Sequence, residues 1–557
     1  MATTQELPVF APECKPPSTL DGLIEAFPFP QMRPQQRQAL SVIADSYDQD
    51  IQFTILELPT GSGKSGLGIA AGRWTADTGS DGCHYLTSQN ILTQQLKADF
   101  DSLGLLEVRG KANYDCWKKR DRSGQKGVTV DCETGSLLND DGKSCPGCTY
   151  RIAKQNYMDG QLGCTNYTYY LTERMYSKEI PPREYLVLDE AHNIEREILG
   201  LIDIQITQKR CLEVNAGVLP YIGPGDAVKA LTWLADIFVP KVKMRLLALK
   251  VDLESRRPKV SFAPLSDSGS VSVKKQVVGL NRLLANIDLY LNAPRRSDWC
   301  VWTNDDGALQ VKPLTAAGFA NEYLFNGSRN ILMMSGTILN FTTFQRCLGI
   351  DPATSRTLAL PSDFPKENRR ILYWPVGNMS AKTQQDTLPH MADRCAALLT
   401  KFKNDKGIIH THTYRIRDYL AEALEDGPHF SRLLTHTTSP GSRDYAIASH
   451  YAASEPTILL SPSMTEGVDL KDALARINII TKIPYPKLDT YNKMRSDRDP
   501  DWYALQTAVG LQQATGRPVR NHTDYCLTVI LDSQFEQLIS RHQDMFAPWW
   551  LDSIEMK

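Results

Sequence analysis

Short apolar runs alternate with longer amphipathic stretches along most of the chain. IQFTIL (51–56), CHYLTS (83–88) and YLVL (185–188) read as buried strands, and NILMMSGT (330–337) as another that ends in a small-residue turn. A Gly-rich turn follows the first, then a helix predicted from Ser65 to about Thr78; NILTQQLKADF (90–100) predicts a second helix. From about residue 341 the alternation returns with GIIHTH (407–412), TILLSP (457–462), INIIT (477–481) and CLTVILD (526–532). Strands alternating with helices argue for parallel, doubly wound sheets, so the pattern predicts two α/β domains.

Two stretches break this pattern. From Arg109 to about Cys148, Gly, Asp, Ser and Lys dominate and apolar periodicity vanishes. Residues 194–305 read as mainly helical, with Val277, Leu280, Leu284, Ile287 and Leu291 on one helix face and a loop expected in PKVSFAPLSDSGS (258–270). The expected division is 20–108 with 151–193 and 306–340 as the first α/β domain. Residues 109–150 form a Cys-rich insertion, 194–305 a helical insertion and 341–557 the second α/β domain.

Composition adds mainly exclusions. The 557 residues allow three to four units at about 150 residues each. With 42% apolar and 23% charged residues, the chain is neither disordered nor collagen-like. No run approaches the ~18 apolar residues that span a bilayer, and MATTQELPVFAPECKPP lacks the charge and apolar core of a secretory signal. An intracellular protein is expected, cytoplasmic or nucleoid-associated. The net charge of −2 announces no nucleic-acid partner, although a local basic stripe would suffice to bind one. Of twelve cysteines, four fall between Cys116 and Cys148, a clustering that in a reducing compartment more often binds metal than forms disulfides.

Three segments carry chemistry. In ELPTGSGKSG (57–66), between a strand and a helix, the backbone N–H groups of Gly61, Ser62 and Gly63 can converge on phosphates. Lys64 would reach the β/γ-phosphates and the Ser65 hydroxyl would bind Mg²⁺. Leu58 stands where the general phosphate-loop pattern has glycine. In LVLDEAHN (186–193), Asp189 and Glu190 fall at the carboxyl end of a strand, where parallel sheets bind ligands; Asp189 suits Mg²⁺, and Glu190 suits a general base for water. In QQATGRPVRN (512–521), Arg517 and Arg520 are spaced i, i+3 on an expected helix and could neutralise charge on a γ-phosphoryl group from across a cleft. Each segment alone has a plainer reading: a Gly-rich turn, a helix-start charge preference, a solvated basic helix.

Together, in order, they resemble the XPD/DinG family of iron–sulfur-containing superfamily 2 DNA helicases, over nearly the whole chain. MRPQQ (32–36) resembles the family's Q motif, which implies Gln36 near the adenine. LTSQNILTQQL (86–96) implies single-stranded DNA contacts from Thr87 or Ser88. DEAH (189–192), MSGT (334–337), TEGVDL (465–470) and QATGRPVR (513–520) match later motifs, and KIPYP (482–486) a further family segment. The fifth motif implies that Glu466, Gly467 and Asp469 couple the DNA and ATP sites. Gln534 departs from the basic residue that relatives often carry, so no role passes to it. The resemblance implies two RecA-like motor domains, the first interrupted by an iron–sulfur domain and a helical arch. It further implies an ATP-dependent DNA helicase of the DEAH-box kind, moving 5′→3′ as a monomer on tailed or forked DNA; repair, replication and mobile-element roles all fit. The alternative from another class is an ATP-driven DNA-binding translocase or remodeller that does not unwind.

Cys116, Cys132, Cys145 and Cys148 could hold a [4Fe–4S] cluster or a tetrahedral Zn²⁺. Their spacing alone slightly favours zinc, whereas GKANYDC (110–116) and CTYRIAK (148–154) resemble the flanks of the family's iron–sulfur domain. A redox role for the cluster finds no support in any flavin or nicotinamide motif. Arg109, Lys111, Lys118, Lys119, Arg120, Arg122 and Lys126 outnumber Asp115 and Asp121 there, a patch suited to a DNA backbone or simply a solvated face. Tyr114 and Trp117 could stack on a base, act as a wedge, or serve as the insertion's scarce core. Cys164 reads as core, and His410 and His412 as sheet packing or surface.

Overall fold

The computed structural model describes residues 18–78, 81–116, 132–133, 147–255, 268–464 and 468–557. Its strands are β1 (Phe53–Glu57), β2 (Cys83–Thr87), β3 (Leu106–Glu107), β4 (Leu162–Asn166), β5 (Tyr185–Asp189), β6 (Ile204–Ile206), β7 (Trp299–Thr303), β8 (Leu309–Pro313) and β9 (Asn330–Ser335). They continue with β10 (Ser355–Ala359), β11 (Ile371–Gly377), β12 (Gly407–His410), β13 (Leu433–Leu434), β14 (Ile458–Ser461), β15 (Ile477–Ile480), β16 (Leu527–Asp532) and β17 (Ile554–Met556).

Two seven-stranded sheets dominate, in the orders β10-β1-β9-β5-β2-β4-β3 and β13-β14-β12-β15-β16-β11-β17. Every strand pair in both is parallel. Helices cover both faces of a parallel sheet, which is why β1, β2, β5 and β9 bury every residue and read as mainly apolar runs. The two RecA-like α/β units expected from the sequence are both present. No helix among the described residues is long and apolar enough to cross a membrane.

Two features depart from the expected division. Strand β10 lies past residue 340 yet pairs with β1 in the first sheet, with Ser355 opposite Phe53 and Ala359 opposite Glu57. As an edge strand it is half-exposed and polar, so SRTLA carries no apolar signature. The second sheet starts its chain at Ile371. The helical insertion contains Val239–Ser255 and Ser268–Leu291, but also a three-stranded antiparallel sheet, β6-β8-β7, whose strand β8 lies in the segment assigned to the motor domain. The expected loop at 258–270 lies outside the described residues up to 267, and Ser268 is already helical. One hydrophobic core runs from Ile55, Leu186 and Met333 under the first sheet to Phe238, Leu280 and Trp299 in the insertion, so the insertion is built onto that domain.

The second domain is braced against both. Arg495 pairs with the buried Glu195, and Trp502 Nε1 donates to the other Glu195 oxygen at 3.1 Å. Tyr491 stacks on Trp302 at 5.9 Å and donates to the Pro313 carbonyl at 2.9 Å.

Candidate active site

From Glu57 at the end of β1 the chain turns through Leu58–Gly63 into helix Lys64–Asp77. Gly61 and Gly63 have φ of 82° and 80°, a region that costs side-chain-bearing residues and lets backbone N–H groups point inward. At Gly63 a Cβ would also lie 2.3 Å from Gln36 Nε2. Gln36 is buried; its Nε2 donates to the Ser62 carbonyl at 2.9 Å and its Oε1 accepts from Arg33 N at 2.9 Å. Arg33 donates in turn to the Gly61 carbonyl at 2.6 Å, so the Q-motif residues brace the phosphate loop from outside. Lys64 Nζ donates to the Leu58 carbonyl at 3.3 Å. Leu58 meets the lysine through its backbone while its side chain is buried, so the site does not need glycine there.

Asp189 ends β5, buried, with Oδ2 accepting from Tyr85 Oη at 3.0 Å and Oδ1 from Glu190 N at 2.9 Å. The Ser65 hydroxyl acts on the same buried Tyr85 phenol, so the two side chains expected to bind Mg²⁺ share one neighbour. Burial, then the charge of Glu190, pushes the Asp189 pKa up to about 6, and Lys64 works against both. A bound cation would relieve that burden on the carboxylate, so Ser65 and Asp189 fit Mg²⁺. Glu190 has φ 53°, a strained left-handed backbone that recurs at functional positions, and its side chain lines the cleft.

Arg517 and Arg520 do not lie on a helix. Helix Pro500–Thr515 ends with Gly516 as its cap. Pro518 has no N–H to give and disfavours helical backbone at the residue before it. The arginines stand instead on the loop after the helix, which crosses to the phosphate loop: the Arg520 carbonyl would be 3.0 Å from a Cβ at Gly61. Lys64, Glu190, Thr337, Gln513, Arg517 and Arg520 line one cleft between the two sheets. Arg520 Nε lies 3.1 Å from Asp469 Oδ1, and Asp469 is held through its backbone by the Tyr451 hydroxyl at 2.8 and 3.1 Å. Glu466 and Gly467 lie outside the described residues.

Spacing alone did not single out a contact that spans the cleft. Gln513 Nε2 meets His192 Nε2 at 2.7 Å and Thr337 Oγ1 at 3.4 Å, while His192 Nδ1 meets Ser335 Oγ at 2.7 Å. Its available signal was a histidine three residues after the strand-end carboxylate Asp189. Thr87 and Ser88 sit at the carboxyl end of β2; Thr87 is buried and its hydroxyl donates to the Gln89 carbonyl at 3.1 Å.

Cys116, Cys132 and Cys148 are all buried, with the Cys132 and Cys148 sulfurs 3.4 Å apart. Burial first, then Cys148 and Cys116, pushes the Cys132 thiol up to about 12. Cys145 lies outside the described residues, among which no group of three or more His, Cys, Asp or Glu forms a metal site. Tyr114 packs edge-on to Tyr150 at 5.6 Å and its hydroxyl accepts from Arg109 N at 3.1 Å, so it serves as local core. Arg109 pairs with Glu107 at 3.1 Å and Lys111 lies over the Tyr150 ring. Trp117, Lys118, Lys119, Arg120, Arg122 and Lys126 lie outside the described residues. Cys164 is buried in β4; His410 is buried at the end of β12, and His412 lies two residues on at φ 60° with Nε2 2.9 Å from the Tyr485 carbonyl.

Residues 397–553 match the Helicase C-terminal domain family, and residues 29–216 match the family described as type III restriction enzyme, res subunit. The chain is 23% identical to the ATP-dependent DNA helicase YoaA of Haemophilus influenzae, over 71% of this chain and 68% of that protein. It is 22% identical to the Escherichia coli YoaA, over 92% and 93%. A solved XPD helicase superposes with a TM-score of 0.63 at 14% identity, covering 95% of this chain and all of that one. The phosphate loop, the strand-end carboxylates and the facing arginine loop are thus carried on a fold similar to that of the XPD helicase, in a chain similar to the ATP-dependent DNA helicases YoaA.

Proposed function

We propose that the protein is an ATP-dependent DNA helicase that moves 5′→3′ along single-stranded DNA and opens duplexes. The observation that carries this reading is the single cleft that takes Lys64 and Glu190 from one sheet and Arg517 and Arg520 from the other. A triphosphate there would be cradled by the N–H groups of Gly61–Lys64 and neutralised by Lys64 on one side and the two guanidiniums on the other. Ser65 and Asp189 would hold Mg²⁺, which when bound shares the phosphate charge. Glu190, whose side chain lines the cleft, would take the proton of an attacking water. Hydrolysis frees the γ-phosphoryl group as inorganic phosphate, and its release takes away the negative charge that the arginines face, so the domains part, and repeated closure moves the strand past the pair.

Separating a duplex costs roughly 1.4 kcal/mol per base-pair step, well within one ATP. Cys116, Cys132, Cys145 and Cys148 would hold a [4Fe–4S] cluster, which supplies a rigid brace rather than redox chemistry; the converging buried thiols support it, and Zn²⁺ is the competing occupant. The protein acts as a monomer on 5′-tailed duplexes. Lys64→Ala should abolish ATP turnover while DNA binding stays within about twofold; strand displacement from 5′- but not 3′-tailed duplexes tests polarity. ATP turnover without any displacement would favour the non-unwinding translocase.

A further inference from the structure

Glu57 is the last residue of β1, directly before the phosphate loop, and is only 3% exposed. A carboxylate at the end of a fully buried strand is costly unless something uses it. Among the described residues no lysine or arginine forms an ion pair with it. Its partners are backbone groups instead: Oε2 accepts from Leu339 N, with the Ile338 N–H beside it also favouring the carboxylate. Both belong to the loop that leaves β9.

That loop carries the residues joining the two domains. Ser335 Oγ meets His192 and accepts from Thr337 N at 3.1 Å, and Thr337 Oγ1 accepts from Gln513. The loop also runs beside the phosphate loop: Leu58 N donates to the Ser335 carbonyl at 2.8 Å, and a Cβ on Gly336 would lie 3.8 Å from Lys64 Nζ. Leu339 has φ 63°, a left-handed conformation that a leucine keeps only where neighbouring contacts over-determine it. The contact that fixes its N–H is Glu57.

We propose that Glu57 is a positioning residue for the nucleotide site: its carboxyl ties the 336–339 loop to the start of the phosphate loop, holding Ser335 and Thr337 where His192 and Gln513 read them. The nucleotide-gripping loop and the loop that reports to the other domain therefore move as one piece. The role requires an acceptor oxygen and no charge, since both partners are neutral N–H groups.

The inference rests on the ATPase reading, and the experiment separates the two. Steady-state ATP hydrolysis is measured with and without single-stranded DNA for wild type, Glu57→Ala and Glu57→Gln, alongside nucleotide affinity. No DNA-stimulated hydrolysis by wild type would sink the function itself. With wild type active, Glu57→Ala should lower DNA-stimulated kcat about tenfold with the KM for ATP within about twofold, because the contact is displaced rather than lost. Glu57→Gln, which keeps an acceptor, should restore kcat to within about twofold of wild type. Unchanged kcat in Glu57→Ala, or a Gln variant as impaired as Ala, overturns the proposal. Should Glu57→Ala fail to fold, Glu57→Asp draws the carboxyl back from the same N–H groups by one methylene while keeping it polar. It should lower kcat severalfold at constant KM, and an unchanged kcat overturns the proposal equally.

Discussion

Gln513 Nε2 lies 2.7 Å from His192 Nε2, and the other imidazole nitrogen lies 2.7 Å from Ser335 Oγ. An amide nitrogen only donates, so His192 Nε2 accepts and Nδ1 carries the proton. Residues from three motifs, in two domains, meet on one ring. Gln513→Ala removes the short hydrogen bond to His192, about 1 kcal/mol, together with the longer one to Thr337, and should lower DNA-stimulated ATP turnover by about fivefold or more. Basal turnover should change less, because it depends least on closure; parallel assays with and without DNA check this.

The pair Arg495–Glu195 braces the second domain against the first, with the Arg495 guanidinium 3.9 Å over the Trp502 ring. Removing one partner strands a buried charge, so Arg495→Ala should cost about 3–5 kcal/mol. Chemical denaturation should show an earlier transition for the second domain.

His84 is buried between Tyr157 and Tyr170, its Nδ1 2.7 Å from Tyr157 Oη and its Nε2 2.9 Å from the Pro181 carbonyl. Burial first, then the charge of Arg183, lowers its pKa to about 3. Between that value and the unfolded value of about 6.5 the unfolded chain binds a proton that the native state refuses. Its contribution to stability therefore falls as pH drops from about 6.5 toward 3 and is flat above. His84→Gln should make the slope of stability against pH shallower by up to about 1.4 kcal/mol per pH unit in that window, read from urea midpoints at pH 4 to 6.

Strands buried on both faces were legible because nothing else in a soluble chain looks like FTILE, YLVLD or ILLS. The phosphate loop and the strand-end carboxylates were legible because their chemistry needs consecutive residues. The rest failed for identifiable reasons. Strand β10 is a half-exposed edge and β6 has three residues, so neither makes an apolar run. The i, i+3 spacing of Arg517 and Arg520 suggested a helix face, but Pro518 between them governs the backbone. Gln513–His192 and Glu57–Leu339 join residues 321 and 282 positions apart, and pairing over such distances leaves no local periodicity.

The cysteines give a prediction independent of the ATP site. Cys132→Ser and Cys148→Ser each remove a thiol from the 3.4 Å pair. Protein purified without oxygen should contain iron and sulfide, and either variant should lose them along with duplex opening. Stoichiometric zinc in place of iron would assign the site to Zn²⁺.

The central claim is that one triphosphate is gripped from both domains, and Arg520→Ala tests it most directly. Single-turnover ATP hydrolysis should slow by about 10³-fold or more, as when an arginine finger is withdrawn, while ATP affinity stays within about tenfold. A hydrolysis rate equal to wild type, with nucleotide bound as tightly, would mean that the second domain takes no part in the reaction.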